Sequence, residues 1–267
     1  MRRLDVMTVL GLIAGVMMII SALVLGGSCR YFWSFPSLLV TVGGSLAATL
    51  INFTWRDVRN ALTTVRLAFV TELWDPYQLV GLFGELSRRA RREGLLVLEE
   101  ETERLEDSFF AKGIQLMADA MEPQAIRDIL QTDLDYMVHR HELGQSFFST
   151  WGNLAPSFGL IGTLIGLLQM LATLENPDTL GPSMALALVT TFYGAVLAYL
   201  ILLPLAGKLR LRSEQEQLLH HMMLEGILAI QAGLNPRIVE ERMRAFLSPK
   251  VLAAMPEEEA VAEAGGR

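Results

Sequence analysis

Four uncharged, apolar runs alternate with charged segments along the chain. They cover Val6 to Ser28, about residues 36–55, the stretch between Glu142 and Glu175, and the stretch between Asp178 and Lys208. Each is long enough for the roughly 20 residues that a helix needs to cross a bilayer. The pattern therefore predicts an all-α polytopic membrane protein with four transmembrane helices.

The two later runs carry small residues at helical spacing. Steps of four and three residues separate the members of each stripe, which are Gly152, Pro156, Gly159, Thr163 and Gly166 in one run and Ala187, Thr191, Gly194 and Ala198 in the other. Such a stripe lies on one helical face, and helices pack closely in membranes through small residues. We therefore expect residues 151–206 to form a hairpin whose stripes face protein, with residues 1–55 as a first hairpin.

The charged segments predict helices outside the membrane. Residues 56–150 keep apolar positions at helical spacing, as in Leu79, Leu82, Phe83 and Leu86, which indicates a small helical domain. Residues 207–250 continue as a helical tail, in which Gly233 is expected to end one helix. Residues 251–267 are rich in Glu, Ala and Gly, a composition typical of disorder.

Positive charge predicts the orientation. Of the 22 Lys and Arg residues, only Arg30 falls in the short turns after the first and third spans. The positive-inside rule therefore places both termini and the central segment in the cytoplasm. A signal peptide is the rival interpretation of the N-terminus, but its apolar run is too long and no A-x-A-like site ends it.

Composition and residue spacing mainly exclude classes of function. The net charge of −7 is segregated along the chain and does not indicate nucleic acid, while the single cysteine, Cys29, excludes an internal disulfide. We find no Ser/His/Asp set, metal-ligand spacing or phosphate loop, so we expect neither an enzyme nor a cofactor. The four histidines are interpreted as surface or packing residues.

The spans contain no ionisable acid or base other than tyrosine, so a partner would have to supply a carboxylate if the protein conducts ions. Hydroxyls are present instead. Thr163 and Thr191 lie at depths that differ by only about 5 Å at 1.5 Å per residue, so they could line one site. The alternative is that each threonine bonds the carbonyl four residues earlier, which needs no ion.

Several segments together resemble the flagellar stator family of MotA and its sodium-type relative PomA. They are residues 155–166 (APSFGLIGTLIG), 190–195 (TTFYGA), 204–206 (PLA), 25–28 (LGGS), 43–45 (GGS) and 226–237 (GILAIQAGLNPR). The three-span ExbB and TolQ proteins share something like the third-span pattern. The first hairpin and the residues 232–236 (AGLNP) favour MotA.

The resemblance implies five such subunits around two MotB/PomB-type chains in the bacterial inner membrane. An aspartate on the partner helix would carry the ion, and ion flow would turn the ring against the flagellar rotor, whose switch protein FliG contacts residues 56–150. The alternatives are an ExbB/TolQ-like proton channel that energises outer-membrane transport, and a purely structural membrane scaffold held in lipid.

The resemblance also assigns residues. Pro156 and Pro204 match the family's two functional prolines, and Tyr199 is placed on the same ion path. Arg91 and Glu99 match the charged pair that contacts the rotor.

Thr163 and Thr191 match threonines associated with sodium selectivity, so a transient Na⁺ is expected near them. This favours sodium over protons as the coupling ion, although ExbB-like relatives carry a similar threonine and use protons.

Overall fold

The computed structural model describes residues 3–25, 27, 32–71, 75–99, 107–175, 177–249 and 252. These residues are almost entirely helical, which confirms the predicted fold class. A two-residue antiparallel pair, β1 (Arg3–Leu4) with β2 (Val70–Thr71), forms the one sheet among them and was not predicted.

The helices follow the chain in a simple order. They are α1 (Val6–Leu25), α2 (Phe35–Asn52), α3 (Trp55–Phe69), α4 (Pro76–Glu93), α5 (Ser108–Ala118), α6 (Pro123–Ala172), α7 (Pro177–Val196), α8 (Leu203–Gln231) and α9 (Pro236–Arg244). A short 3₁₀ turn, Leu95–Leu98, follows α4. Among the described residues, two π-helical turns interrupt the α geometry, at Leu39–Gly43 within α2 and at Leu197–Leu202 between α7 and α8.

Within the part of the chain that the structure describes, four helical stretches are long and apolar enough to cross a membrane, as predicted. They are α1, α2, α6 and the stretch Leu180–Gln231. The third and fourth spans are not separate helices, however. The third is the second half of the 50-residue α6, and the fourth runs through the π turn into α8. The third of these helices begins at Pro123, a residue that is tolerated in the first turn of a helix.

The residues fall into two compact units, which we call the span unit (residues 1–72 and 139–213) and the bundle unit (residues 73–138 and 214–267). The segments predicted from the sequence have different boundaries, after residues 55, 150 and 206. Residues 56–72 and 139–150 group with the spans because Val58 and Phe147 share an apolar cluster with Leu202 and Leu209. Most of the predicted tail, from residue 214 onward, groups with the central segment.

The bundle unit has a large apolar core. Its fully buried side chains include Phe83 of α4, Phe110 of α5, Leu130 of α6 and Ile227 of α8. The rings of Phe83 and Phe110 lie 5.0 Å apart. This arrangement follows from the helical spacing of the apolar residues, which puts them on the inner face of each helix.

Polar side chains set several helix ends in the bundle unit. Asp107 caps α5 by accepting hydrogen bonds from the backbone N–H groups of Phe109 and Phe110, and Asn235 caps α9. Gly233 has a φ of +66°, which suits glycine just after the end of α8, as predicted. The tail predicted to be disordered lies outside the described residues, apart from Leu252.

Within the span unit, α1 lies at the edge. Each of its residues is at least partly exposed, and the Leu200 side chain packs against it where a Cβ on Gly15 would stand. At the start of α1, the carboxylate of Asp5 accepts hydrogen bonds from Lys208 and Arg212. The bond from Lys208, followed by that from the backbone N–H of Thr8, lowers the pKa of Asp5 to about 2. Asp5 therefore stays ionised and ties the start of α1 to α8.

Candidate ion site between the third and fourth spans

The backbones of the third and fourth spans touch. A Cβ placed on Gly194 would lie 2.6 Å from the carbonyl oxygen of Ala155, and one on Gly166 would lie 2.8 Å from the carbonyl oxygen of Ser183. Neither neighbour is a flexible side chain that could move away. The small-residue stripes therefore face each other, as the sequence predicted, because only glycine permits this separation.

This close approach brings the two predicted threonines together. The hydroxyls of Thr163 and Thr191 are in hydrogen-bond contact with each other. Both also lie near the carbonyl oxygen of Ala187, at 3.1 Å from Thr163 Oγ1 and 3.3 Å from Thr191 Oγ1. Thr163 is half-buried, whereas Thr191 is exposed on the surface of the subunit.

The intrahelical alternative for the two threonines is present as well. Thr163 Oγ1 lies 3.1 Å from the carbonyl oxygen of Gly159, four residues earlier, and Thr191 has the same relation to Ala187. A hydroxyl has one proton to donate but two lone pairs to offer. Each threonine can therefore bond a carbonyl and still present oxygen to a cation, so the two interpretations are compatible. The geometry alone does not test ion binding, which stays a prediction.

A third threonine, Thr190, contacts the same carbonyl oxygen as the pair. Thr190 is fully buried, and its hydroxyl donates to the carbonyl oxygen of Ala187 at 2.8 Å or to that of Leu186 at 3.0 Å. Its own carbonyl accepts a hydrogen bond of 3.2 Å from the hydroxyl of Thr41 in α2. Sequence reasoning assigned no part to Thr41 or Thr190.

The signal for Thr41 was a four-residue repeat of hydroxyl residues in α2. Its members, Ser37, Thr41, Ser45 and Thr49, are all fully buried. Over the 12 residues from first to last, a regular α-helix would rotate the last side chain by about 120° from the first. The π turn Leu39–Gly43, in which the N–H of Gly44 reaches back to the carbonyl of Leu39, takes up one extra residue and removes most of that rotation.

The two prolines lie at distinct places in the contact. Pro156 is inside α6, with its Cα 3.2 Å from the position of a Cβ on Gly194. Pro204 is the second residue of α8, directly after the π turn in which the N–H of Leu203 bonds the carbonyl of Ala198. A wider turn makes room for the proline ring against the carbonyl four residues earlier. The structure thus places Pro204 at a local departure from α geometry.

The two tyrosines of the fourth span differ. Tyr199, assigned to the ion path, lies in the π turn and is 67% exposed. Tyr193, to which sequence reasoning assigned no role, donates its hydroxyl proton to the carbonyl of Phe32 and accepts a hydrogen bond of 3.4 Å from the backbone N–H of Ser34. Tyr193 therefore links the fourth span by hydrogen bonds to residues 32–34, which precede α2.

A cavity of about 610 Å³ opens beside the ends of these spans. Its lining residues come from three parts of the chain. They are Trp33 and Ser34 just before α2, Gln169 of α6, and Gly181, Pro182, Ser183, Ala185, Leu186 and Val189 of α7. Gln169 is six residues beyond Thr163, which is about 9 Å along the helix. The cavity thus lies on the side of the threonines toward the turn that joins the two spans.

The residues assigned to rotor contact lie in the bundle unit. Arg91 is exposed in the last turn of α4, and Glu99 is exposed directly after the 3₁₀ turn. Gly94 joins them with a φ of +92°, a conformation that favours glycine. Residues 100–106 of the neighbouring acidic run lie outside the described residues.

The described residues contain no cluster of three His, Cys, Asp or Glu side chains that could hold a metal ion. His141 instead makes a hydrogen bond of 3.2 Å with Ser213, and His220 lies 3.4 Å from Asp107 and stacks on Phe109.

Comparison with known proteins identifies the family. The model of the MotA/TolQ/ExbB proton channel family matches residues 101–222. The "Chemotaxis protein PomA" of Vibrio alginolyticus is 38% identical over 245 residues, which is 92% of this chain and 96% of that protein. This chain belongs to the MotA family of flagellar stator proteins. "Motility protein A" of Borreliella burgdorferi is 41% identical over 219 residues, covering 82% of this chain and 84% of that protein.

Solved MotA-type structures agree with the fold. The flagellar MotAB stator complex from Bacillus subtilis matches with a TM-score of 0.85 and 30% identity, over 94% of this chain and all of that one. The structure of C. jejuni MotAB also gives a TM-score of 0.85, and at 23% identity it supports the fold alone. Membership of the MotA family confirms the resemblance found in the sequence and the expectation of a membrane protein of the ion-channel type.

Proposed function

We propose that this chain is the channel-forming stator subunit of a bacterial flagellar motor and that it couples sodium entry to torque. The observation that carries the ionic part is the Thr163–Thr191 contact, which gathers two hydroxyls and the carbonyl of Ala187 at one point between the spans. Hard cations are bound by oxygen ligands of this kind.

The site has oxygen dipoles but no fixed charge. Residues 151–172 and 180–206 contain no Asp, Glu, Lys, Arg or His. A carboxylate from a MotB/PomB-type helix would complete the site, and the exposure of Thr191 and Tyr199 on the subunit surface supports access from that direction. The cation, Na⁺ in preference to H⁺, is then transported cargo and not a resident cofactor, and the chain acts by transport and not by catalysis.

The same proposal covers assembly. Five copies around two partner chains would sit in the inner membrane with both termini in the cytoplasm, and Arg91 and Glu99 of the bundle unit would contact FliG. The exposed positions of both side chains support this assignment. The near-complete match to motility proteins favours a stator over a TolQ-like energiser of outer-membrane transport.

The test is swimming speed in a stator-null strain that carries this chain with its MotB-type partner, across a sodium series at constant ionic strength. We expect speed to rise with sodium and Thr191→Val to raise the half-saturating sodium concentration about tenfold, as the loss of one ligand oxygen worth about 1.4 kcal/mol would do. Thr132→Val is the matched control, because Thr132 also bonds a carbonyl four residues earlier on α6 but lies in the bundle unit.

The other outcomes separate the alternatives. Speed that ignores sodium but is lost with a protonophore would replace sodium by protons as the coupling ion. Failure to restore motility, despite membrane insertion and co-purification with the partner, would favour the transport energiser. Equal shifts in both variants would contradict a role for Thr191 in the ion site.

A further inference from the structure

We propose that Thr41 is a positioning residue of the threonine site, which it holds in place through the peptide group between Thr190 and Thr191. The proposal rests on the function proposed above. Among the hydrogen bonds of the described residues, none joins Thr41 to Thr163 or Thr191; the Thr41 hydroxyl donates to the carbonyl oxygen of Thr190 at 3.2 Å.

That carbonyl belongs to the same planar unit as the backbone nitrogen of Thr191. A displacement of this peptide plane therefore moves the Cα of Thr191 and redirects its hydroxyl. Gly159 of the third span also approaches this peptide plane, because a Cβ on Gly159 would lie 3.0 Å from the oxygen of Thr190. The Thr190 carbonyl thus lies where the second, third and fourth spans meet.

The surroundings of Thr41 hold its side chain in this position. It is fully buried, and it lies in the π turn Leu39–Gly43. Such turns in α-helices are uncommon and occur frequently at functional sites. A valine of the same shape would fill the space but could not donate, which would leave the peptide plane without its bond from α2.

The chain of bonds continues to the site itself. The hydroxyl of Thr190 donates to the carbonyl of Ala187 or Leu186, and the Ala187 carbonyl lies within 3.3 Å of the hydroxyls of both Thr163 and Thr191. Thr41 is therefore two hydrogen bonds away from the oxygen that the pair shares. Fixing this network beforehand lowers the reorganisation that ion binding would require.

The first experiment compares Thr41→Val, Thr41→Ser and Thr49→Val in the sodium series. Thr49 is the matched control because it is fully buried on the same face of α2 and bonds the Ser45 carbonyl of its own helix at 2.8 Å. We expect Thr41→Val to raise the half-saturating sodium concentration about two- to tenfold, the effect of one hydrogen bond, with speed at saturating sodium preserved. Thr41→Ser and Thr49→Val should behave as the wild type.

The outcomes against the proposal are specific. Equal shifts in Thr41→Val and Thr49→Val would reduce Thr41 to a packing residue, as would a lower maximal speed at an unchanged half-saturating concentration. If the wild type itself ignores sodium, the sodium part of the proposed function fails, and the same variants are compared in the external pH that gives half-maximal speed.

A second measurement does not depend on the ion. In a regular helix the Thr190 carbonyl also accepts from the N–H of Gly194. We expect Thr41→Val to speed amide hydrogen exchange at residue 194 in the assembled complex about two- to tenfold, and Thr49→Val to leave it unchanged. Unchanged exchange in Thr41→Val would overturn the proposal whichever ion drives the motor.

Discussion

Glycine permits close backbone contact in the span unit but at none of the described glycines of the bundle unit. In the span unit, Gly194 and Gly166 let two helix backbones touch, because the atoms within 2.8 Å of an added Cβ include the carbonyl oxygens of Ala155 and Ser183. Gly44 of the same unit makes room for the Phe158 side chain. In the bundle unit, Gly113 and Gly226 make room for large side chains, namely Ile227 and Phe83. Close backbone contact therefore adds to apolar burial in the span unit, whereas the bundle unit packs through bulky apolar groups.

The surrounding solvent explains the difference. Water drives apolar side chains into a core, so the bundle unit gains stability from burying Phe83, Phe110 and Leu130. Lipid is as apolar as leucine, so helices within a membrane associate through dispersion contacts and hydrogen bonds instead. The span unit accordingly buries four hydroxyl side chains of α2 in addition to its apolar cluster, whereas the core of the bundle unit consists of apolar side chains.

The largest effect is expected from a cavity in the bundle unit. Phe83→Ala should cost about 3–5 kcal/mol of that unit's stability, because the ring is fully buried and its removal leaves a void. The measurement is amide hydrogen exchange of α5 and the bundle part of α6 in the full-length protein. Leu96→Ala, at a residue that is 69% exposed, should change it by less than about 0.5 kcal/mol. Similar costs in the two variants would contradict the assignment of a large-side-chain core.

A smaller but position-dependent effect is expected from one added methyl group in the span unit. Gly194→Ala puts a Cβ 2.6 Å from the Ala155 carbonyl, so the helices must separate, at a cost of about 1–3 kcal/mol. Motility and the yield of assembled complex should both fall. Gly207→Ala, where nothing lies within 4 Å of the added Cβ, should leave both unchanged. If the two variants behave alike, close backbone contact does not hold the spans.

The sequence predicted the span unit better than the bundle unit. Long uncharged runs and the stripes around Thr163 and Thr191 are strong signals, because a membrane leaves few alternatives to a helix with a small-residue contact face. The boundaries between the two units were harder to predict from the sequence. The charged start of α6 and its apolar second half form one helix, since no proline stands between Pro123 and Pro156 to interrupt the helical hydrogen bonds at their junction.

Part of the site was beyond single-sequence reasoning. The roles of Thr41 and Tyr193 depend on partners 149 and 161 residues away along the chain, in the Thr190 and Phe32 carbonyls. Nothing local in the sequence specifies such pairs. The hydroxyl repeat in α2 was visible, but its alignment on one face depends on a π turn, and no residue pattern predicts where that turn occurs. Pro204 lies just after the second π turn and is a local signal for that turn, but it gives no information about the π turn in α2.

The smallest expected effect concerns a polar group that helps to order the bundle unit. Burial alone would raise the pKa of Asp107, but the hydrogen bond from His220 and those from the N–H groups of Phe110 and Phe109 outweigh it and lower the pKa. A carboxyl whose pKa is lower in the folded state stabilises that state above its unfolded pKa of about 3.9. This contribution is lost as pH falls through the lower, folded value.

Asp107→Ala should therefore cost about 1 kcal/mol at neutral pH, measured by hydrogen exchange in α5, because α5 loses its N-cap. Asp107→Asn should cost less, since asparagine caps helices as well as aspartate does, but it should abolish this residue's share of the acid destabilisation. Two identical pH profiles for the wild type and Asp107→Asn would show that the cap, and not the charge, is what Asp107 contributes. The contribution of Asp107 to the bundle unit would then be the same hydrogen-bonded cap at acid and neutral pH, and the apolar core would account for the contrast with the span unit.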